Sequence, residues 1–111
     1  MSVTFYDRDN PSEWNHEEGT IIAGGPEANF SNVNAGWILQ VLGYPVNDSS
    51  DLIGEVTAQE LDNRINKAYA AINNICTDPH TQAYMKRAFK KLMEVIDFSK
   101  SQFGCGIICW N

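Results

Sequence analysis

The residues of this 111-residue chain whose types suit chemistry most directly are three cysteines and two histidines. Cys105 and Cys109 are separated by three residues, and Cys76, His16 and His80 could join them around a metal ion. Zinc sites are ordinarily built from two close pairs of ligands, and here a second close pair is missing. In an extended strand Cys105 and Cys109 share a face but stand roughly 13 Å apart at about 3.3 Å per residue, too far for one ion. The expectation is buried or half-buried free thiols, with no metal and no cofactor. A Cys76–His80 or Cys109–His80 pair would serve nucleophilic catalysis only if the fold brought both groups into hydrogen-bonding reach. No nucleophile-elbow pattern is present, and no catalytic residue is assigned.

A second group is polar and uncharged. Asn29, Ser31, Asn32 and Asn34 gather amide and hydroxyl groups where a helix is expected to begin. Free N–H groups and the helix dipole draw anions to such a start, and Gly24-Gly25 upstream would let backbone approach a phosphate. The spacing matches neither a dinucleotide fingerprint nor a P-loop, since no Lys-Ser/Thr follows Gly25. Capping and turn-shaping account for the same residues.

The third group is charged. The net charge is −6, unevenly spread. Residues 1–60 hold ten acids against Arg8, a net of −9, whereas residues 61–111 hold seven bases and four acids, a net of +3. Such polarity favours electrostatic choice of a partner. An acidic chain is disfavoured as a nucleic-acid binder, because phosphates need clustered Lys and Arg. The acids between Asp7 and Glu27, with Glu13, Glu17 and Glu18 at their centre and Trp14 as an anchor if exposed, form a candidate surface for a basic protein. In the C-terminal half, Lys86, Arg87, Lys90 and Lys91 place like charges at i and i+4, at a cost of a few tenths of a kcal/mol per pair. A sequence tolerates that when an acidic partner is present, inside the fold or outside it.

These groups must be carried by secondary structure, which the hydrophobic pattern predicts. Residues 2–6 alternate as a strand, residues 7–19 read as a polar loop with Trp14 laid back on the core, and residues 20–23 and 27–30 read as two further strands. A first helix starts at Ser31 or Asn32. It carries Val33, Trp37, Ile38, Val41 and Leu42 as its apolar stripe and stops at Gly43, with Pro45 beyond. A second starts with Thr57 as cap and Glu60 three positions on, a capping box, and buries Leu61, Ile65, Ala68, Tyr69 and Ile72. A third starts at Asp78-Pro79, buries Tyr84, Met85, Ala88, Leu92, Val95 and Ile96, and exposes the four bases. Residues 107–110 read as a terminal strand. The order predicts an α+β fold over 1–111: a small, mostly antiparallel sheet of N-terminal strands plus the C-terminal one, packed against about three helices. All three tryptophans are expected in the core. Ile107, Ile108 and Trp110, if on an edge strand, offer a surface for a homodimer.

The pattern Asn29-x-Ser31-Asn32-x-Asn34-Ala35 with Ile38-Leu39, followed by Leu42-Gly43, Gly54-Glu55 and Glu60-Leu61, resembles a set of short proteins of phages, prophages and bacterial chromosomes. The closing hydrophobic-Cys-Trp stretch is similar to theirs. The likeness covers about half of the chain. No activity is assigned to that set, so the resemblance implies an origin in a phage or mobile element and no residue roles.

No window approaches the roughly 18 apolar residues of a membrane span. The odd cysteine count and the absence of a basic or apolar leader favour a reducing, cytoplasmic setting. The expected function is that of a small, acidic, non-enzymatic binding protein that inhibits a host defence or regulatory target. The alternatives are a nucleotide-type ligand binder using residues 29–34, and a small Cys/His-dependent enzyme.

Overall fold

The computed structural model describes residues 1–15, 17–101 and 106–111, with side chains for all of these except Trp14 and residues 21–23. The chain forms β1 (Ser2–Asp7), β2 (Glu13–Asn15), β3 (Thr20–Ala23), β4 (Glu27–Ser31), α1 (Asn32–Val41), a 3-10 turn (Ser49–Leu52), β5 (Gly54–Thr57), α2 (Ala58–Ala70), the single turn α3 (Ile72–Ile75), α4 (Pro79–Ser101) and β6 (Ile107–Trp110). The architecture is α+β, as the pattern predicts.

Four strands make an antiparallel sheet in the order β4-β1-β6-β5. Period-two alternation sends Val3, Phe5 and Asp7 of β1 inward, and Ala28, Phe30, Val56, Ile108 and Trp110 of its neighbours are also buried. Phe5 meets Phe30 edge-on at 5.9 Å and lies 5.4 Å from Trp110. Helices α1, α2 and α4 cover this face and complete one core, with Leu39, Leu61, Phe89, Leu92 and Ile96 inside it. β2 and β3 form a separate hairpin.

Several expectations are corrected. Residues 13–15, read as loop, pair with β3. β5 differs from the expected order: its four residues include a glycine and a glutamate, and Thr57 also caps α2, but β6 supplies their partners, with Val56 opposite Ile108. β6 is therefore not an edge strand. It lies between β1 and β5, and the homodimer surface expected there does not exist. In α1 the buried row is Ala35, Ile38, Leu39 and Leu42, while Val33 is 69% and Trp37 52% exposed. The helix is apolar on two faces, so periodicity could not choose between them. Tyr69 on α2 is likewise exposed, one position off the buried row Leu61, Ile65, Ala68 and Ile72.

The helix ends follow the local chemistry. Ser31 accepts a hydrogen bond from the Asn34 N–H at 3.2 Å and caps α1. At its other end the Tyr44 N–H donates to the Leu39 carbonyl and the Gly43 N–H to that of Gln40, a Schellman closure that puts Gly43 at φ +90°. The Arg64 guanidinium donates to the Leu42 carbonyl at 3.0 Å and lies 4.1 Å from the Tyr44 ring centre, tying α2 to this stop. Thr57 caps α2 through the Glu60 N–H. The Glu60 carboxylate turns to Arg64 at 3.5 Å, so half of the expected capping box is present.

Candidate functional site

The start of α4 is set by Asp78, whose carboxylate accepts from both the Thr81 N–H and the Thr81 hydroxyl. Those bonds, the hydroxyl first, hold the Asp78 carboxyl below its usual range. From there Met85, Ala88, Phe89, Leu92, Val95 and Ile96 face the core, and the 3.6-residue repeat turns Lys86, Arg87, Lys90 and Lys91 to solvent. These are four of the eight cations in the chain, on two successive turns. The ion pairs among the described residues are Arg8 with Asp9 and Glu55, Arg64 with Glu60, and Lys100 with Asp62. None involves the four cations of the ridge. The like-charge cost of their spacing is thus not offset by acids of residues 1–60. Lys86 alone has a neighbour of another kind, the Tyr69 ring at 5.8 Å.

Beside the ridge, between α4 and the β4–α1 junction, lies a cleft of about 280 Å³. Asn29, Ser31 and Asn34 line one wall, and Tyr84, Arg87 and Lys91 the other. The Asn29 amide group donates to the Ser2 hydroxyl at 3.1 Å and to that of Thr4 at 2.8 Å. The fold therefore joins three of the four candidate polar residues to two cations that the sequence placed in a different group. Asn32 is half-buried and does not line the cleft. The α1 N-terminus adds the positive end of a helix dipole. Among the described residues no carboxylate, imidazole or thiol lines this cleft; its charged groups are the two cations. The sequence signal for the second wall was the like-charge spacing of Lys91 and Arg87. What it lacked was the packing of α4 across β4 and β1.

A larger cleft, about 590 Å³, runs between the end of α1 and α2–α3, lined by Val41, Glu60, Arg64, Lys67 and Ile75. Size alone would favour it, but Glu60 and Arg64 are engaged with each other and with the α1 terminus. A third, of about 390 Å³, lies between α2 and α4 on the Lys86 and Lys90 side, floored by Ile65, Phe89 and Met93.

Glu13, Glu17 and Glu18 are exposed on the β2–β3 hairpin and do not line the ridge cleft. The Asn15 side chain accepts from the N–H groups of Glu17 and Glu18 at 3.0 and 3.2 Å and so shapes the turn that presents them. Asp7 does not belong to that acidic surface. It is 2% exposed and accepts from the Asp9 N–H and the Asn10 amide, each at 3.0 Å. The Trp14 side chain, His16 and Cys105 lie outside the described residues.

Cys76 is buried and Cys109 half-buried, both as free thiols. The Cys109 thiol donates to the Glu55 carboxylate at 3.7 Å, and burial first, then Glu55, pushes its pKa up. A thiol held protonated is a weak nucleophile. Among the described residues no three His, Cys, Asp or Glu side chains are grouped to hold a metal ion, and no helix is long and apolar enough to cross a membrane.

The chain matches no family model, no curated protein and no solved structure.

Proposed function

We propose that this chain is a non-enzymatic binding protein that holds a phosphate-bearing ligand in the cleft between the β4–α1 junction and α4. One observation carries the reading: half of the chain's cations stand on two turns of α4 without an ion pair among the described residues, and two of them, Arg87 and Lys91, line one cleft with Asn29, Ser31 and Asn34. Arg supplies a planar fork of donors for phosphate oxygens and Lys a compact point charge. The Asn34 amide and the Ser31 hydroxyl add orientation, while the Asn29 N–H groups are held by Ser2 and Thr4. The volume suits a phosphate and part of a sugar, with the rest of a nucleotide-type ligand projecting over the ridge. Taken with the phage-like pattern of residues 29–35, the reading extends to a mobile-element protein that sequesters a phosphorylated signal in a bacterial cytoplasm.

The test is a melting-temperature screen against inorganic phosphate and a panel of nucleotides. A ligand that binds only the folded chain adds about 2.7 kcal/mol at one hundred times its Kd. The expected result is a rise for at least one phosphate compound in the parent, and its loss in Arg87→Gln and Lys91→Gln. A flat panel, or an equal rise in both variants, overturns the reading.

A second reading is favoured by the hairpin: Glu13, Glu17 and Glu18 are exposed on a two-stranded unit apart from the main sheet. There the chain would inhibit a host defence or regulatory protein by covering a basic surface. Charge reversal at the three glutamates should slow association and reduce its salt sensitivity. Unchanged kinetics would count against it.

A further inference from the structure

We infer that the groove between α2 and α4 is a binding site for a small, flat aromatic molecule carrying one anionic group. Its volume is about 390 Å³, within the roughly 300–1,000 Å³ of small-ligand sites. A single turn of helix, about 10 Å wide and 5.4 Å long, would already fill it, so the groove suits a small molecule and not a docked peptide. The floor is apolar: Ile65 and Phe89 are buried and Met93 is half-buried. Tyr69 forms a wall and is 52% exposed. An aromatic ring left in water beside an apolar floor gains from a second ring stacked on it.

Charge names the sign of the ligand. Lys86 and Lys90 of α4 line the groove and have no ion pair among the described residues. Lys86 has no Asp or Glu within seven residues on either side. Its ammonium lies 5.8 Å from the Tyr69 ring centre, near the outer reach of a cation–π contact, so it does not seal the ring. Among the described residues no carboxylate lines the groove. Asp62, the nearest acid along α2, is engaged by Lys100 and by the Asn66 amide. Glu94, the first acid on α4 after the ridge, does not line the groove. A cationic ligand would meet two like charges here, whereas an anion is drawn in by both. The groove is separate from the phosphate cleft, since Lys86 and Lys90 stand on the α2 side of the ridge and Arg87 and Lys91 on the β4 side.

Amide NMR shifts of the full chain, titrated with naphthoate, test this, with naphthamide, cyclohexanecarboxylate and inorganic phosphate as comparisons. The expected result is a Kd on the order of 1 mM, in keeping with an open site and a small ligand, with shifts centred on residues 65–69 and 86–93. Naphthamide, which lacks the charge, and cyclohexanecarboxylate, which lacks the ring, should each bind at least about threefold more weakly. Added salt should weaken naphthoate more than naphthamide. Lys86→Gln with Lys90→Gln should reduce naphthoate to the affinity of naphthamide. Tyr69→Ala should weaken both naphthalene probes, and Tyr69→Phe should leave them unchanged. All three side chains are exposed, and the spectrum of each variant reports whether it folds. No saturation below about 10 mM naphthoate means an adventitious additive only and overturns the inference. Equal binding of naphthamide, a double variant that binds as the parent does, or shifts centred elsewhere overturns it equally. Phosphate read through Arg87→Gln and Lys91→Gln is a separate outcome, so failure of this groove and failure of the phosphate cleft are distinguishable.

Discussion

Gly54→Ala should destabilise the fold although it adds one methyl group to a strand. Gly54 of β5 stands directly opposite Trp110 of β6, and the indole folds over the place a side chain would take. A Cβ there would lie 2.6 Å from Cζ2 and 2.8 Å from Cε2 of Trp110. Ordinary contact requires about 3.5–4.0 Å, so the ring must retreat by about 1 Å. It has nowhere to go: it is buried, with Phe5 and Tyr44 each 5.4 Å away between ring centres. Overpacking of this kind costs about 1–3 kcal/mol, and removing a strand glycine returns about 0.5–1 kcal/mol of backbone entropy. The net loss lies between about 0 and 2.5 kcal/mol, with a middle value of about 1 kcal/mol, or about 4 °C in Tm for a domain near this size. Urea denaturation with near-ultraviolet circular dichroism would read both the loss and the displaced indole. In a double-mutant cycle, Trp110→Phe removes the clashing atoms and should make Gly54→Ala nearly neutral. A variant as stable as the parent, or a cycle in which the two changes simply add, would refute the steric argument and the β5–β6 pairing beneath it.

Three further outcomes follow from the caps and the thiol. Ser31→Ala should cost about 1 kcal/mol of unfolding free energy and Ser31→Asp should restore most of it; equal stability of all three would deny the cap. Asp78 has a lowered carboxyl pKa in the fold because of the Thr81 hydroxyl and N–H. Its contribution is present above the unfolded value near 3.9 and fades as pH falls through the folded value. Asp78→Ala should therefore flatten the decline of stability below about pH 4, and an unchanged slope in urea titrations would contradict this. Cys109 should react with iodoacetamide at about pH 8 more slowly than a free thiol, and Glu55→Gln should speed the reaction by removing a charge that raises its pKa. Alkylation at the free-thiol rate in the parent would show the environment to be misjudged.

Much of the secondary structure was legible because its signals are local. Ser31, Gly43, Thr57 and Asp78 act within four residues, and each sits at the helix boundary its chemistry requires. The failures share a cause. Residues 54–57 become a strand because β6 offers Val56 and Gly54 partners more than fifty residues away. Residues 107–110 were recognisable as a strand, but its place between β1 and β5 is a matter of pairing and not of composition. Trp37 was assigned to the core because α1 is apolar on two faces, and only the sheet beneath Ala35, Ile38, Leu39 and Leu42 selects between them.

The candidate site divides in the same way. The polar start of α1 and the like-charge turns of α4 could each be read from spacing, as could the imbalance between an acidic half and a basic one. That Arg87 and Lys91 face Asn29, Ser31 and Asn34 could not, because the segments are more than fifty residues apart and meet only through their packing on β1 and β4. By itself the sequence determined the α+β class, the caps and the charge of each segment, all properties of near neighbours along the chain. Tertiary structure alone decided which apolar face of α1 remained in water, which strand lay inside the sheet and which cations have no ion pair among the described residues. Those depend on contacts between distant segments, whose free energies are set by burial and pairing that no local pattern records.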